Sequence, residues 1–309
     1  MSRPSVSVVV CAWTEDRWHQ LNRALDSVLR QEPAADEVLL VVDYNSTLGR
    51  RVRESRRDIV VLDNARTRGL SGARNTGLHA AGGDVVVFLD DDAEAGPGWL
   101  AAHLAHYAAP AVVGVGGEVL PRWLGARPRW FPGEFGWVVG CTWTGLAAST
   151  VAVVRNPIGA NMSFRRLAAL ECGGFDEGLG RRGNGGAGAE ETELAIRATA
   201  RGFGHVVHDP AARVVHDVPA ERARWAYFRR RCVAEGRSKA AMVRRTGPAL
   251  ASESRFVRQT LPRGVLRETT QAWRQRSPDP LLRVGAMVAG LTFTTTGFVM
   301  ARRNRGDEA

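Results

Sequence analysis

The sequence has few cysteines and no recognisable export signal. Its cysteines, Cys11, Cys141, Cys172 and Cys232, form no Cys-x-x-Cys pair and have no histidine at zinc spacing. This scatter indicates neither a disulfide framework nor a structural zinc site. The N-terminal segment enters the strand-like run SVSVVVCAW without a basic start, a long apolar core or a small-residue cleavage site. We therefore expect a cytoplasmic protein.

Lysine is almost absent as well. Lys239 is the only lysine, so the formal net charge of +10 is carried by arginine. A charge of this size favours anionic partners, namely nucleic acid, an anionic membrane surface or a phosphorylated substrate. Charge alone does not choose among the three.

Valine-rich runs alternate with helical patterns through the first half of the chain. Continuous apolar runs suit strands that are covered on both faces, which predicts strands at 5–12, 37–42, 58–62, 84–89 and 111–117. Apolar residues recur at helical spacing from Trp18 to Leu29, and a second helix is predicted from Ser71 to Ala81, before Gly82-Gly83. The alternation predicts an α/β fold with a mostly parallel sheet flanked by helices.

Three adjacent aspartates, Asp90, Asp91 and Asp92, follow the fourth predicted strand in VVVFLDDDAEAGPGWL. Neighbouring carboxylates repel one another and resist burial. A hard divalent cation reverses this repulsion, and the carboxyl end of a strand is where open α/β sheets bind ligands. The alternative is a solvated acidic turn, or an N-cap for a helix that begins near Pro97.

Five segments between about residues 5 and 217 carry a family resemblance. They are, in order, VSVVVCAWTEDRWHQLNRALDSVLRQ, EVLLVVDYNS, RGLSGARNTGLHAAGGDVVVFLDDD, GANMSFRRLAALECGGFDE and GAEETELAIRATARG. This series resembles the family 2 inverting glycosyltransferases, from their opening strand and helix through the DxD signature to the acidic catalytic motif. The resemblance implies a GT-A-type fold, a nucleotide-diphosphate sugar donor and Mn²⁺ or Mg²⁺ as cofactor.

The resemblance also implies a donor site. Asp43 would hold the nucleoside, with a turn-capping role as the alternative; the Tyr44-Asn45 pair after it departs from the family pattern. Asp92 would be the principal metal ligand, and Asp90 would contact the ribose or the metal. The histidine that ends ARVVH is either a metal ligand or structural. The implied cofactor-binding residues are Ala12, Trp13, Asp43, Arg74, Asp90 and Asp91, and the implied metal ligands are Asp92, Asp90 and His216.

Glu190 and Glu191 match the paired acids of the family's catalytic motif. Adjacent helical residues point about 100° apart, so only one of them is expected to face the substrate. We predict that Glu191 is the general base. The alternative is that both glutamates stabilise the helix N-terminus. The glycine-rich stretch 178–189 before them is predicted to order over the bound donor.

The C-terminal region is rich in arginine and contains an uncharged apolar stretch near its end. We predict a catalytic domain at 1–218 and a helical basic extension at 219–309, with a membrane-associated segment at 284–301. This segment is at the lower length limit for a spanning helix and contains four threonines, which favours an interfacial or re-entrant position. A buried helix or an oligomer interface is the alternative.

The expected function is metal-dependent transfer of one sugar to an acceptor hydroxyl with inversion. ERARW at 221–225 is near the QxxRW pattern of processive synthases but has glutamate in place of the key glutamine. Those synthases also carry several transmembrane helices that thread the polymer, which are lacking here, so single-sugar transfer is expected. The alternative is that ERARW simply begins a basic amphipathic helix. The acceptor is a lipid-linked glycan, a small molecule or a protein; no nucleic acid is expected, and the inner face of the plasma membrane is a candidate location. Two other classes remain: a nucleotidyltransferase, and a non-catalytic basic protein that binds membrane or nucleic acid.

Overall fold

A computed structural model describes residues 3–146, 150–179, 188–246 and 251–303. The chain divides into two compact units. The first unit comprises Met1–Leu120 and Ser149–Asp217, and the second comprises Pro121–Ala148 and Val218–Ala309. One boundary is predicted at residue 218. In the structure the chain also enters the second unit at Pro121 and returns to the first at Ser149, before that point.

The described residues form one sheet of nine strands. The strands are β1 (Val6–Ala12), β2 (Glu37–Val42), β3 (Val60–Asp63), β4 (Val85–Asp90), β5 (Ala93–Ala95), β6 (Val112–Trp123), β7 (Ala152–Val154), β8 (Asn161–Arg165) and β9 (His205–Val218). All five strands expected from the valine-rich runs are present. Their β-branched side chains pack well on a pleated, covered surface.

The strand order is β3-β2-β1-β4-β8-β6-β9-β5, and β7 pairs with β9. Strands β3, β2, β1 and β4 are parallel, whereas β8 runs antiparallel to both β4 and β6, and β5 runs antiparallel to β9. The predicted α/β fold is confirmed, with its parallel order in the first half and a mixed sheet as a whole. The parallel half brings the carboxyl ends of β1, β2 and β4 to one edge of the sheet.

Six α-helices flank the sheet in the described part of the first unit: α1 (Trp18–Leu29), α2 (Ser46–Ser55), α3 (Leu70–Ala80), α4 (Trp99–Ala105), α5 (Arg166–Glu171) and α6 (Glu190–Ala200). Both helices predicted in this half are confirmed, with α3 displaced by one residue. Helix α3 lies directly on the sheet, because a Cβ atom on Gly77 would come within 2.5 Å of Val9 Cγ1. Glycine therefore sets the depth at which α3 packs.

A buried polar network fixes α4 against β8. His103 is fully buried and contacts Ser163 Oγ through Nδ1 and Asn161 Oδ1 through Nε2, at 2.9 Å each. Trp99 Nε1 donates to the same Asn161 oxygen at 2.8 Å. Burial lowers the pKa of His103 to about 4, so the imidazole is neutral in the folded protein at neutral pH.

The described part of the second unit is helical: α7 (Trp225–Thr246), α8 (Ala251–Arg255), α9 (Leu261–Gln275), α10 (Asp279–Arg303) and a 3₁₀ helix at Gly133–Val139. Trp130 packs edge-on against Trp225 and Phe228 of α7. Helices α7 and α10 approach closely, since a Cβ on Gly236 would lie 2.0 Å from Thr294 O.

Candidate active site

The three aspartates lie at the sheet edge where β4 ends. Asp90 pairs in register with Cys11 of β1, and the chain then turns through Asp91 and Asp92 into β5. Asp91 and Asp92 are buried, whereas the Asp90 side chain is a quarter exposed. The triplet is thus a mostly buried acidic cluster at the edge of the sheet and not a solvated turn.

Asp90, Asp92 and His216 come together although His216 is distant in sequence. Strand β5 pairs with β9 so that Ala93 lies opposite His216, which places the imidazole Nε2 3.1 Å from Asp92 Oδ1. One ligand atom from each of the three residues lies within 4.8 Å of the others. The two carboxylates are ligands that suit Mn²⁺ or Mg²⁺, and the imidazole adds one nitrogen ligand. The residues implied as metal ligands therefore fit a divalent ion.

Arg17, immediately before α1, partly neutralises the same cluster. Its Nη1 lies 2.7 Å from Asp91 Oδ1 and 3.0 Å from Asp92 Oδ2. Burial raises the pKa of Asp91 to about 7 although the Arg17 charge opposes this shift. Asp91 Oδ2 is buried and has no hydrogen-bond partner among the described residues. Asp91 is thus directed at Arg17 and lies outside the Asp90, Asp92 and His216 group.

Arg74 on α3 is a second cation of the site and, unlike Arg17, it is buried. Its Nη1 donates to Glu190 Oε1 at 2.7 Å, and its Nη2 donates to Asp90 Oδ1 at 3.0 Å and to Gly159 O at 2.8 Å. Burial by itself lowers the pKa of Arg74, but Asp90 and Glu190 outweigh it and raise that pKa above its ordinary value. Arg74 therefore stays charged and links the acidic cluster to the start of α6.

The two glutamates that open α6 have different surroundings. Glu190 is buried and ion-paired with Arg74, whereas Glu191 is only partly buried. A Cβ on Gly159 would lie 3.6 Å from Glu191 Cδ and 3.2 Å from Arg74 Nη2. The absence of a side chain at Gly159 thus leaves room for the Glu191 carboxyl group beside the guanidinium. The divergence of the two acids agrees with helix geometry.

A third group of predicted residues surrounds Asp43, at the end of β2. The Asp43 amide donates to Ala12 O at 2.7 Å, and its carboxylate accepts from the Gly69 amide and, at 2.7 Å, from Asn64 Nδ2. Asn45 Nδ2 donates to Trp13 O at 3.1 Å. The structure therefore places Asp43, Ala12 and Trp13 together at the carboxyl ends of β1 and β2.

Sequence reasoning missed several residues that build the site. Arg17 touches acids more than seventy positions away, and Arg23 pairs with Asp217, the residue after His216. No local pattern announces these contacts, because they depend on how β5 and α1 meet. The predicted glycine-rich lid at 178–189 lies mostly outside the described residues, which exclude 180–187.

Comparison with known proteins gives one family. The model of "Glycosyl transferase family 2" matches residues 7–170. The glucosyl-dolichyl phosphate glucuronosyltransferase of Haloferax volcanii is 37% identical over 241 residues, which is 77% of this chain and 77% of that protein. The pre-mycofactocin glycosyltransferase of Mycobacterium tuberculosis is 31% identical over 171 residues, 54% of this chain and 34% of the relative.

Two solved structures share the fold. The mannosyltransferase PcManGT from Pyrobaculum calidifontis, in complex with GDP-Man and Mn²⁺, has a TM-score of 0.61 at 20% identity and covers 99% of this chain and 87% of that one. GalNAc-T7 with UDP, GalNAc and Mn²⁺ has a TM-score of 0.52 at 20% identity, over 70% of this chain and 43% of the other. At this identity the likeness shows the GT-A-type fold.

Proposed function

The chain belongs to glycosyl transferase family 2 and is a glycosyltransferase, and we propose that it moves one sugar from a nucleotide-diphosphate donor to an acceptor hydroxyl with inversion. The observation that carries this proposal is the arrangement at the start of α6. Arg74 engages the buried Glu190, and the next residue, Glu191, lies over the space left by Gly159. A carboxylate in this position suits a general base.

Glu191 takes the acceptor hydroxyl proton as the acceptor oxygen attacks the anomeric carbon of the donor. The bond from that carbon to the diphosphate oxygen breaks on the opposite face, and the nucleoside diphosphate leaves. General base catalysis of this kind contributes typically about 10²–10⁴-fold. Glu190 and Asp90 do not serve as the general base, because the carboxylates of both accept hydrogen bonds from the Arg74 guanidinium.

Asp90, Asp92 and His216 are the residues that would hold Mn²⁺ or Mg²⁺. When bound, the ion supplies positive charge that stabilises the departing diphosphate. Asp43, with Ala12 and Trp13 beside it, would receive the nucleoside; the Asp43 carboxylate is pre-positioned by Asn64 and the Gly69 amide. These residues would orient the donor before transfer.

The proposed acceptor is a sugar carried on a polyprenyl phosphate, and the proposed location is the membrane surface that holds such lipids. Two observations support this choice. The Haloferax relative is named as acting on glucosyl-dolichyl phosphate. The second unit contains α10, whose most apolar 18-residue segment has a mean hydropathy of 1.5 and could contact the apolar part of a membrane. The supply of glycan precursors for the cell envelope would be the corresponding process.

The proposal is tested by incubating the full chain with a panel of UDP-, GDP- and dTDP-sugars, Mn²⁺ and a glucosylated polyprenyl phosphate. We expect one donor to yield a new glycolipid and free nucleoside diphosphate. Glu191→Gln should lower the transfer rate about 10²–10⁴-fold with donor binding retained, whereas the exposed control Glu54→Gln should leave it unchanged. Full activity in Glu191→Gln contradicts the assigned base, and release of pyrophosphate contradicts sugar transfer.

A further inference from the structure

The positive charge of the protein is concentrated in the second unit. This unit carries 22 of the 42 arginine and lysine residues but only 8 of the 32 aspartate and glutamate residues, a net charge of +14. The first unit has a net charge of −4. The basic excess therefore belongs to a different unit from the acidic donor site, and a charge of this size favours an anionic partner.

Helix α10 adds an apolar surface to this basic unit. Between Arg283 and Arg302 it carries no charged residue. Only 22% of its most apolar 18-residue segment is nevertheless buried. Its buried positions, such as Met287 and Gly290, alternate with an exposed stripe on the other face. The exposed positions are Leu281, Leu282, Gly285, Val288, Thr292, Thr295, Thr296, Val299 and Met300.

The packing of α7 along α10 argues against a helix that spans a bilayer. Gly236 and Gly297 bring the two backbones together, because a Cβ on either glycine would fall about 2 Å from a carbonyl oxygen of the opposite helix. Helix α7 carries the sequence RRR at 229–231 and further charges at 235, 237, 239 and 244. If α10 crossed the hydrocarbon core, these charges would enter it too, at high cost.

The end of α9, the turn after it and the start of α10 together have the composition of an interfacial anchor. Trp273 is 83% exposed, and Leu281 and Leu282 are 55% and 51% exposed. Arg274 and Arg276 line the same surface as Trp273. An exposed tryptophan beside leucines and arginines is costly in water, but it suits the headgroup layer, where the indole and the guanidinium groups both find partners.

We propose that the second unit docks on an anionic lipid bilayer, with α10 lying in the plane of the membrane and Trp273, Leu281 and Leu282 inserted below the phosphates. The arginines would pair with lipid phosphates, and α7 would stay on the aqueous side. The proposal rests on the proposed lipid-linked acceptor for its purpose, but its evidence comes from the second unit alone. Sugar transfer and membrane docking can therefore fail separately.

The test is flotation of the full chain with vesicles of phosphatidylcholine, with and without phosphatidylglycerol. We expect binding only to the anionic vesicles, weakened by salt. Trp273→Ser combined with Leu282→Ser should lower the apparent affinity at least tenfold, and Arg274→Gln with Arg276→Gln should lower it about tenfold or more. The control is Leu167→Ser, which removes a similarly exposed leucine from the first unit.

Orientation is measured with nitroxide labels on cysteines introduced at Leu282, Val288 and Val299 in the vesicle-bound protein. Similar depths at the three positions support a helix in the membrane plane, whereas a greatest depth at Val288 indicates a spanning helix and overturns the proposal. Absence of vesicle binding by a folded protein also overturns it. Vesicle binding that is unchanged in the Trp273 and Leu282 variant overturns it as well. The proposal is also overturned if the protein forms a dimer without lipid and this variant abolishes the dimer.

Transfer to a water-soluble glucoside acceptor separates the two proposals. We expect the Trp273 and Leu282 variant to keep the wild-type rate on that acceptor while it loses vesicle binding. A protein that binds vesicles but transfers no sugar refutes the proposed function alone. A protein that transfers sugar but binds no vesicles refutes the docking surface alone.

Discussion

Replacing Arg74 with methionine tests whether Arg74 stabilises the buried carboxylate of Glu190. Methionine preserves much of the side-chain length but removes the charge that faces Glu190 at 2.7 Å and Asp90 at 3.0 Å. The two acids differ in exposure: the Glu190 side chain is 3% exposed and that of Asp90 is 25% exposed. Water can solvate Asp90 after the substitution, whereas Glu190 would remain as a buried charge without a partner.

The expected cost follows from that burial. Breaking a buried ion pair by removing one partner typically costs about 3–5 kcal/mol. For a unit of this size, that corresponds to a fall in Tm of about 6–20 °C. Glu190→Gln alone should cost only about 1 kcal/mol, since its amide oxygen can still accept from Arg74. The double variant should be more stable than Arg74→Met, because the buried Glu190 carboxylate that lost its partner is then gone.

Calorimetric unfolding of the wild type, both single variants and the double variant gives a double-mutant cycle for Arg74 and Glu190. A coupling free energy of about 2 kcal/mol or more is expected for two residues in direct contact. Additive effects in the double variant, or an Arg74→Met variant within about 1 kcal/mol of wild type, would refute the claim that Arg74 stabilises a buried Glu190 carboxylate.

Three further predictions address packing, pH and the acidic cluster. Gly77→Ala should cost about 1–3 kcal/mol by overpacking against Val9, whereas Gly82→Ala, whose Cβ would meet nothing nearer than 3.5 Å, should not. Because the pKa of His103 is lowered to about 4, stability should fall by about 3 kcal/mol as pH drops from about 6.5 to 4; His103→Gln should lose less over that range in calorimetry. Arg17→Gln should tighten Mn²⁺ binding about tenfold by removing a competing charge, measured by spin resonance of the free ion.

Each of the three has a contradicting result. Equal costs for both glycine variants would mean that α3 does not pack on β1 as described. An unchanged pH slope in His103→Gln would mean that His103 is not the group excluded from protonation. Weaker Mn²⁺ binding by Arg17→Gln would mean that Arg17 orients the aspartates more than it repels the ion.

The sequence predicts the parallel half of the sheet because each strand there is a continuous apolar run with its own helical partner. The antiparallel half is harder to predict. Strands β5 and β7 have three residues each, too few for a periodic signal, and they exist because β9 pairs with both. The assignment of 121–148 to the second unit likewise depends on packing between distant segments, such as Trp130 with Phe228.

The candidate site is likewise predicted only in part from the sequence. The acids Asp90, Asp92 and Glu190 can be singled out in the sequence, because adjacent carboxylates after a strand or at the start of a helix repel one another and indicate a site. Their ion pairs are not visible: Arg17 looks like an ordinary arginine before a helix, and for Arg74 the family resemblance implies a place near the nucleotide but no acidic partner. Only the fold brings both arginines within hydrogen-bond distance of those acids. The distinction between Glu190 and Glu191 also needs the fold, because it depends on which of the two Arg74 reaches.

Calorimetric titration of the full chain with UDP, GDP and dTDP, in the presence of Mn²⁺ and again after addition of a chelator, tests the central claim most directly. We expect one nucleotide to bind with Mn²⁺, to lose its affinity on chelation, and to bind weakly to folded Asp92→Asn even with Mn²⁺. Binding that is independent of metal, or that is unchanged in Asp92→Asn, would contradict a donor site built on Asp90, Asp92 and His216.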